Sequence, residues 1–152
     1  PAKCHIHPRS HGAVDLSNAI KVSCNYYFYE TGYRLGIDIN GEFNEQLGLS
    51  RIKKYASLFG LDTKSGVEIG EAMPNVSDKD TVRSTIGQGN HLYTPIQLSR
   101  YVTTIANYGT NYNLTLLDRI ISKDGSIILM NEAEVYKDLT DIKSSTWENP
   151  SN

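Results

Sequence analysis

Ser23-Cys24-Asn25 lies inside Ala19-Ile20-Lys21-Val22-Ser23-Cys24-Asn25-Tyr26-Tyr27-Phe28-Tyr29, so a hydroxyl and a carboxamide sit two positions apart just ahead of a helical pattern. Both groups donate and accept hydrogen bonds. Acyl transfer is the chemistry such a pair could join. It requires a nucleophile whose proton is removed, a donor for the leaving amine, and dipoles aimed at the developing oxyanion. Ser and Asn are also favoured at helix termini, and on these three residues alone a helix cap is the plainer reading.

A second cluster of reactive side chains, Cys4, His5, His7 and His11, crowds the first dozen residues. Such a set can bind zinc. It has no finger-like spacing and no second cluster, so it reads as a solvated loop. The two cysteines, Cys4 and Cys24, do not make a disulfide framework. Cys24 reads as a small buried hydrophobe, and a single bridge to Cys4 would need an oxidising compartment. Gly87-Gln88-Gly89 reads as a tight turn and not as a phosphate loop, because the full Gly-rich fingerprint and its Lys are missing.

The chain is long enough for a domain with a real core, and its 39% hydrophobic and 21% charged residues place it among globular chains. A net charge of −2 gives no field that would steer nucleic acid or anionic lipid. No apolar run is long enough to cross a bilayer. No cofactor is implied.

The elements that must carry these residues follow from periodicity. A short helix is expected over 15–22, ending near Ser23, and a second over 26–35 with Gly36 as its stop. Tyr26, Tyr29 and Tyr33 recur there at helical spacing and are expected in a core or interface. Ile52, Tyr55, Ala56 and Phe59 predict a third helix over 50–61. Residues 62–93 read as mostly irregular, with a strand guessed near 82–86. Thr94-Pro95-Ile96-Gln97 is a helix start in the capping-box pattern, running to Asn107 with Gly109 as a left-handed stop. Two β-rich runs, 114–122 and 126–130, flank Lys123-Asp124-Gly125 and predict a hairpin. The tail from Asn131 reads as loose, with Trp147 opening a further element.

Together these stretches resemble the transpeptidase domain of the class B penicillin-binding proteins. The ordered set runs His11-Gly12-Ala13-Val14-Asp15-Leu16, Ser23-Cys24-Asn25, Gly32-Tyr33-Arg34-Leu35-Gly36 and Phe59-Gly60-Leu61-Asp62. It continues through Lys64-Ser65-Gly66-Val67-Glu68-Ile69, Ile86-Gly87-Gln88-Gly89 and Thr94 to Gly109. The resemblance covers roughly residues 11–130. It implies a helix-dominated α+β fold: a fragment of the penicillin-binding protein and serine β-lactamase-like fold ending in a β-hairpin. Within one partial domain, the expected division is a loop over 1–14, a mostly helical lobe over 15–109, the hairpin over 110–130 and a loose tail over 131–152.

The resemblance also implies a function: peptidoglycan D,D-transpeptidation by serine acyl transfer, with β-lactams bound in place of the stem peptide. The roles it carries over fall on Ser23, which relays a proton toward the leaving group, and on Asn25, which accepts from a lysine and donates to the bound carbonyl. Cys24 is then expected to point away from the cleft. The implied partners are the stem peptide, β-lactams and the rest of the transpeptidase domain. The implied location is the extracytoplasmic face of a bacterial membrane, with the anchor in a segment absent here.

Two departures shape the expectation. Ser50-Arg51-Ile52-Lys53 has the letters of a Ser-x-x-Lys nucleophile but follows Ser23, whereas the family places the nucleophile first. Lys64-Ser65-Gly66 has the letters of the sheet motif but lies in the 60–70 loop. Neither is expected to be catalytic. The chain is therefore read as an internal piece, inactive alone and prone to self-association or partial order where the parent's apolar surface is uncovered. The alternatives are a non-catalytic helical binding module, or a penicillin-sensing or β-lactam-hydrolysing relative on the same scaffold.

Overall fold

A computed structural model of the chain describes residues 3–140 and 142–147. Two compact units are present, Pro1–Lys54 with Val76–Leu92, and Tyr55–Asn75 with Tyr93–Asn152.

The first unit is helical. α1 spans Leu16–Lys21 and is capped by Asp15, whose side chain accepts from Asn18 N–H. α2 spans Asn25–Leu35. α3 spans Glu45–Leu58 and begins earlier than its apolar periodicity suggests. Asn44 explains this, since its side chain accepts from Leu47 N–H at 3.0 Å and so starts the helix ahead of the apolar stripe. A short helix, α4, covers Thr81–Ser84, where the sequence suggested a strand. Asp80 sets it up by capping Arg83 N–H. Glu45 Oε1 receives Asp80 N–H at 2.9 Å, and Thr81 Oγ1 donates to Glu45 O at 2.8 Å. Those partners are too remote in sequence for a local pattern to reveal.

α2 and α4 touch at backbone distance. A Cβ on Gly32 would stand 2.9 Å from Val82 Cα, so only glycine allows this crossing. Thr85 Oγ1 donates to Phe28 O across the same contact, at 2.7 Å. Arg51 satisfies the orphan carbonyls at the end of α2 by donating to Leu35 O at 2.7 Å and Ile37 O at 3.1 Å. Of the two places expected for the tyrosine stripe, core or interface, the core of this unit does not take Tyr26 or Tyr33. Tyr26 and Tyr33 are exposed, and Tyr33 stacks on Phe43 instead.

In the second unit, α5 spans Pro95–Ala106 and carries both halves of the expected capping box between Thr94 and Gln97. Four strands follow: β1 over Thr110–Tyr112, β2 over Arg119–Ile121, β3 over Ile127–Met130 and β4 over Val135–Asp138. β2 and β3 form the anticipated antiparallel hairpin. β1 pairs with β4, which lies inside the stretch expected to be loose. Ser144–Thr146 form a short 3-10 turn just before Trp147, whose ring packs edge-on against Phe59. Arg100 lies at the centre of this unit, fully buried. It donates to Lys64 O at 2.8 Å, Gly60 O at 2.7 Å and Thr63 Oγ1 at 2.8 Å, and sits over the Tyr136 ring. The hairpin is exposed along its length, with Ile120, Ile121, Ile127, Ile128, Leu129 and Met130 all open to solvent.

Candidate active-site element

The turn between α1 and α2 is built by backbone bonds alone. Ser23 N–H donates to Ile20 O at 3.1 Å and Cys24 N–H to Ala19 O at 2.8 Å. With Val22 as the last helical cap, these are the two bonds of a Schellman motif. Ala19 and Cys24, the positions that carry the apolar pair of this motif, are both buried. Ser23 occupies the left-handed position of that motif, with φ 52°, where glycine is usual.

The side chains then separate by function. Cys24 is the N-cap of α2, yet its side chain makes no capping bond. It is 6% exposed. Ser23 is exposed and Asn25 half-buried, and among the described residues neither side chain has a hydrogen-bond partner. A capping role for Ser23 or Asn25 is therefore not what the fold uses. A cavity of about 550 Å³ opens nearby, lined by Gly12, Cys24, Tyr27, Glu30 and Arg34 among others. Its lining does not include Ser23 or Asn25.

The two sequence lookalikes have structural duties. Ser50 lies within α3 and donates to Leu47 O at 2.7 Å. Ser65 is fully buried in a loop, and its N–H and Oγ both donate to Glu71 Oε2, at 2.7 and 3.0 Å. Thr94 Oγ1 donates to the other Glu71 oxygen at 3.1 Å, so this carboxylate joins the Lys64–Gly66 loop to the start of α5. Burial pushes the Glu71 carboxyl up, but the bonds from Ser65, Thr94 and Gln97 outweigh it and hold the group below its ordinary value.

The structure gathers one group of residues that spacing does not reveal. Cys4, His11 and Cys24 present ligand atoms that all lie within 4.8 Å of one another. The Nδ1 atoms of His5 and His11 stand 3.6 and 3.7 Å from Cys4 Sγ. Two sulfurs and an imidazole are a donor set that suits a borderline-soft cation such as zinc. Cys24 comes from the far side of α1, which is why the sequence showed only part of the set. Burial raises the Cys4 thiol, but the backbone N–H groups of Tyr26, Ile6 and Asn25 and the side chain of Cys24 more than offset it and leave the thiol acidified.

Residues 3–150 match the model of the penicillin-binding protein transpeptidase domain. The chain belongs to that family. It is 28% identical to the peptidoglycan D,D-transpeptidase MrdA of Haemophilus influenzae, over 91% of this chain and 21% of that protein. It is 27% identical to penicillin-binding protein 2A of Bacillus subtilis, over 90% of this chain and 21% of that protein. The chain thus spans about a fifth of the length of these relatives. Among solved structures, penicillin-binding protein 2B of Streptococcus pneumoniae strain R6 superposes with a TM-score of 0.72 at 20% identity, covering 88% of this chain and 24% of that one. Penicillin-binding protein A of M. tuberculosis, as its imipenem acyl-enzyme complex, gives 0.69 at 22% identity over 96% of this chain and 30% of that one. These likenesses establish the helix-dominated α+β fold expected from the sequence.

Proposed function

We propose that this chain is part of a peptidoglycan D,D-transpeptidase that also takes β-lactams, and that Ser23 and Asn25 are its contribution to the acyl-transfer site. One observation carries the assignment. The Ser23 hydroxyl is exposed and uncommitted on a turn that its neighbours' backbones complete without it. A side chain the fold does not need is available to a substrate. In this reading the Ser23 hydroxyl passes a proton toward the leaving amine, and the Asn25 amide holds the acyl carbonyl by donating to it. The nucleophilic serine and its lysine belong to the part of the relatives' length that this chain does not span, consistent with the structural duties of Ser50 and Ser65. The site then works outside the cytoplasm on peptidoglycan stem peptides, and residues 1–152 act as one portion of a single transpeptidase domain.

The test is Ser23→Ala in the full-length protein, with acylation by a fluorescent penicillin and stem-peptide cross-linking as readouts. Both rates fall by about 10²–10⁴ if the hydroxyl moves a proton in the transition state. Unchanged rates identify the chain as a binding or structural module.

A further inference from the structure

Cys4 and Cys24 are both free thiols. Cys4 lies on the segment ahead of α1, while Cys24 caps α2 immediately after Ser23. The fold brings their sulfurs within 4.8 Å of each other. Closing that gap to the roughly 2 Å of a disulfide takes side-chain rotation and a small shift of a surface segment. Cys24 is buried and its backbone is held in the Schellman motif, whereas Cys4 is half-buried on a loop and is the more accessible thiol.

We propose that Cys4 and Cys24 are a disulfide-forming pair, a modification site whose oxidation ties the N-terminal segment to the turn that presents Ser23. The oxidant is a small or protein disulfide. Cys4, the more accessible thiol, loses its proton and attacks one sulfur of the oxidant, breaking that S–S bond and releasing one thiol. Cys24, deprotonated in turn, attacks the Cys4 sulfur of the mixed disulfide and expels the second thiol. Two cysteine thiols lose two electrons and two protons, and the oxidant disulfide gains them as two thiols. The new bond uses both sulfurs of the donor set described above, so oxidation and cation binding there exclude each other. This inference is independent of any role of Ser23 in catalysis, because its readout is a covalent bond.

The experiment treats the full chain with oxidised glutathione in the presence of a chelator, alkylates the remaining thiols, digests with trypsin without reduction and analyses the peptides by mass spectrometry. Cleavage at Lys3, Arg9, Lys21 and Arg34 places the two cysteines on separate peptides, 4–9 and 22–34. The expected product is the two peptides linked within one monomer and released by dithiothreitol. Cys4→Ser and Cys24→Ser should each abolish it. The link should also form at least about tenfold faster in the folded chain than in guanidinium, because the fold raises the effective concentration of one thiol at the other. Alkylation of both cysteines, glutathione adducts that never resolve, links between two chains, or equal rates in the folded and denatured chain would each overturn the proposal.

Discussion

Ser23 combines a strained backbone with an idle side chain, and substitution can separate the two. At φ 52°, a residue with a Cβ carries a left-handed penalty of about 1–2 kcal/mol. Ser23→Gly removes that penalty but costs about 0.5–1 kcal/mol of extra chain entropy in the unfolded state. The net expectation is a gain of roughly 0.5–1 kcal/mol, or about 1–4 °C in Tm for a domain of this size. Ser23→Ala keeps the strain and removes a hydroxyl that has no partner in the fold, so stability should change by less than about 0.5 kcal/mol. Both variants lack the hydroxyl proposed to relay the proton. Thermal unfolding and β-lactam acylation are measured side by side in the full-length protein. The reasoning predicts that acylation falls to a similar low level in Gly and Ala while Tm stays level or rises. Wild-type acylation in Ser23→Gly would refute the catalytic role. A loss of activity in Ser23→Ala that tracks a large fall in Tm would show the hydroxyl to be structural.

The other predictions concern the second unit and the thiol pair. Arg100→Met leaves the oxygens of Gly60, Thr63 and Lys64 without their buried donor and should cost about 3–5 kcal/mol in urea unfolding. Gly60→Ala, at φ +70° and with its Cβ clashing with the Arg100 guanidinium, should cost about 2–4 kcal/mol. The double variant should cost clearly less than the sum, because the clash vanishes with the guanidinium. Glu71 is held below its ordinary pKa of 4.5, so its contribution to stability is complete above that value and is lost as pH falls through the folded-state pKa. Glu71→Gln should therefore flatten the acid limb of a stability profile below about pH 4.5 and leave the neutral-pH slope unchanged. Under native conditions, oxidation of the Cys4–Cys24 pair should slow limited proteolysis of the 4–24 segment, as read by the initial rate of cleavage at Arg9 and Lys21 relative to the reduced chain, whereas the denatured oxidised chain is still cut there.

Legibility in the sequence followed the range of the interactions. The start of α5 was readable because Thr94, Pro95 and Gln97 define it within four residues. The β2–β3 hairpin was readable because its Asp-Gly turn and both strands are contiguous. α4 was not, since Val82 and Ile86 carry β-branched side chains and the support from Glu45 lies 35 residues away, so the local Asp80 cap did not stand out against them. β4 was missed for the same reason: Thr110 pairs with Asp138 across the whole hairpin. At the candidate site, Ser23 and Asn25 were legible as a motif only through their ordered neighbours. The packing of Cys4 and His11 against Cys24 depends on α1 folding back, which no spacing rule encodes.

Backbone strain by itself does not mark the site. Tyr108 has φ 54° and follows α5 with the same pair of bonds, Tyr108 N–H to Ile105 O and Gly109 N–H to Thr104 O. The stop expected at Gly109 is thus a Schellman motif whose left-handed residue is a tyrosine. Asp80, at φ 56°, is also left-handed, and there the side chain compensates by capping α4. Three positions therefore bear the same cost for different returns. Asp80 gains a cap, and the exposed Tyr108 continues the chain into β1. Ser23 gains nothing that the fold can use: its hydroxyl is unbonded, and the turn would close at least as well with glycine. What singles it out is this unused group, placed two residues from an equally uncommitted carboxamide on the first turn of α2, in a chain whose family is established by other means.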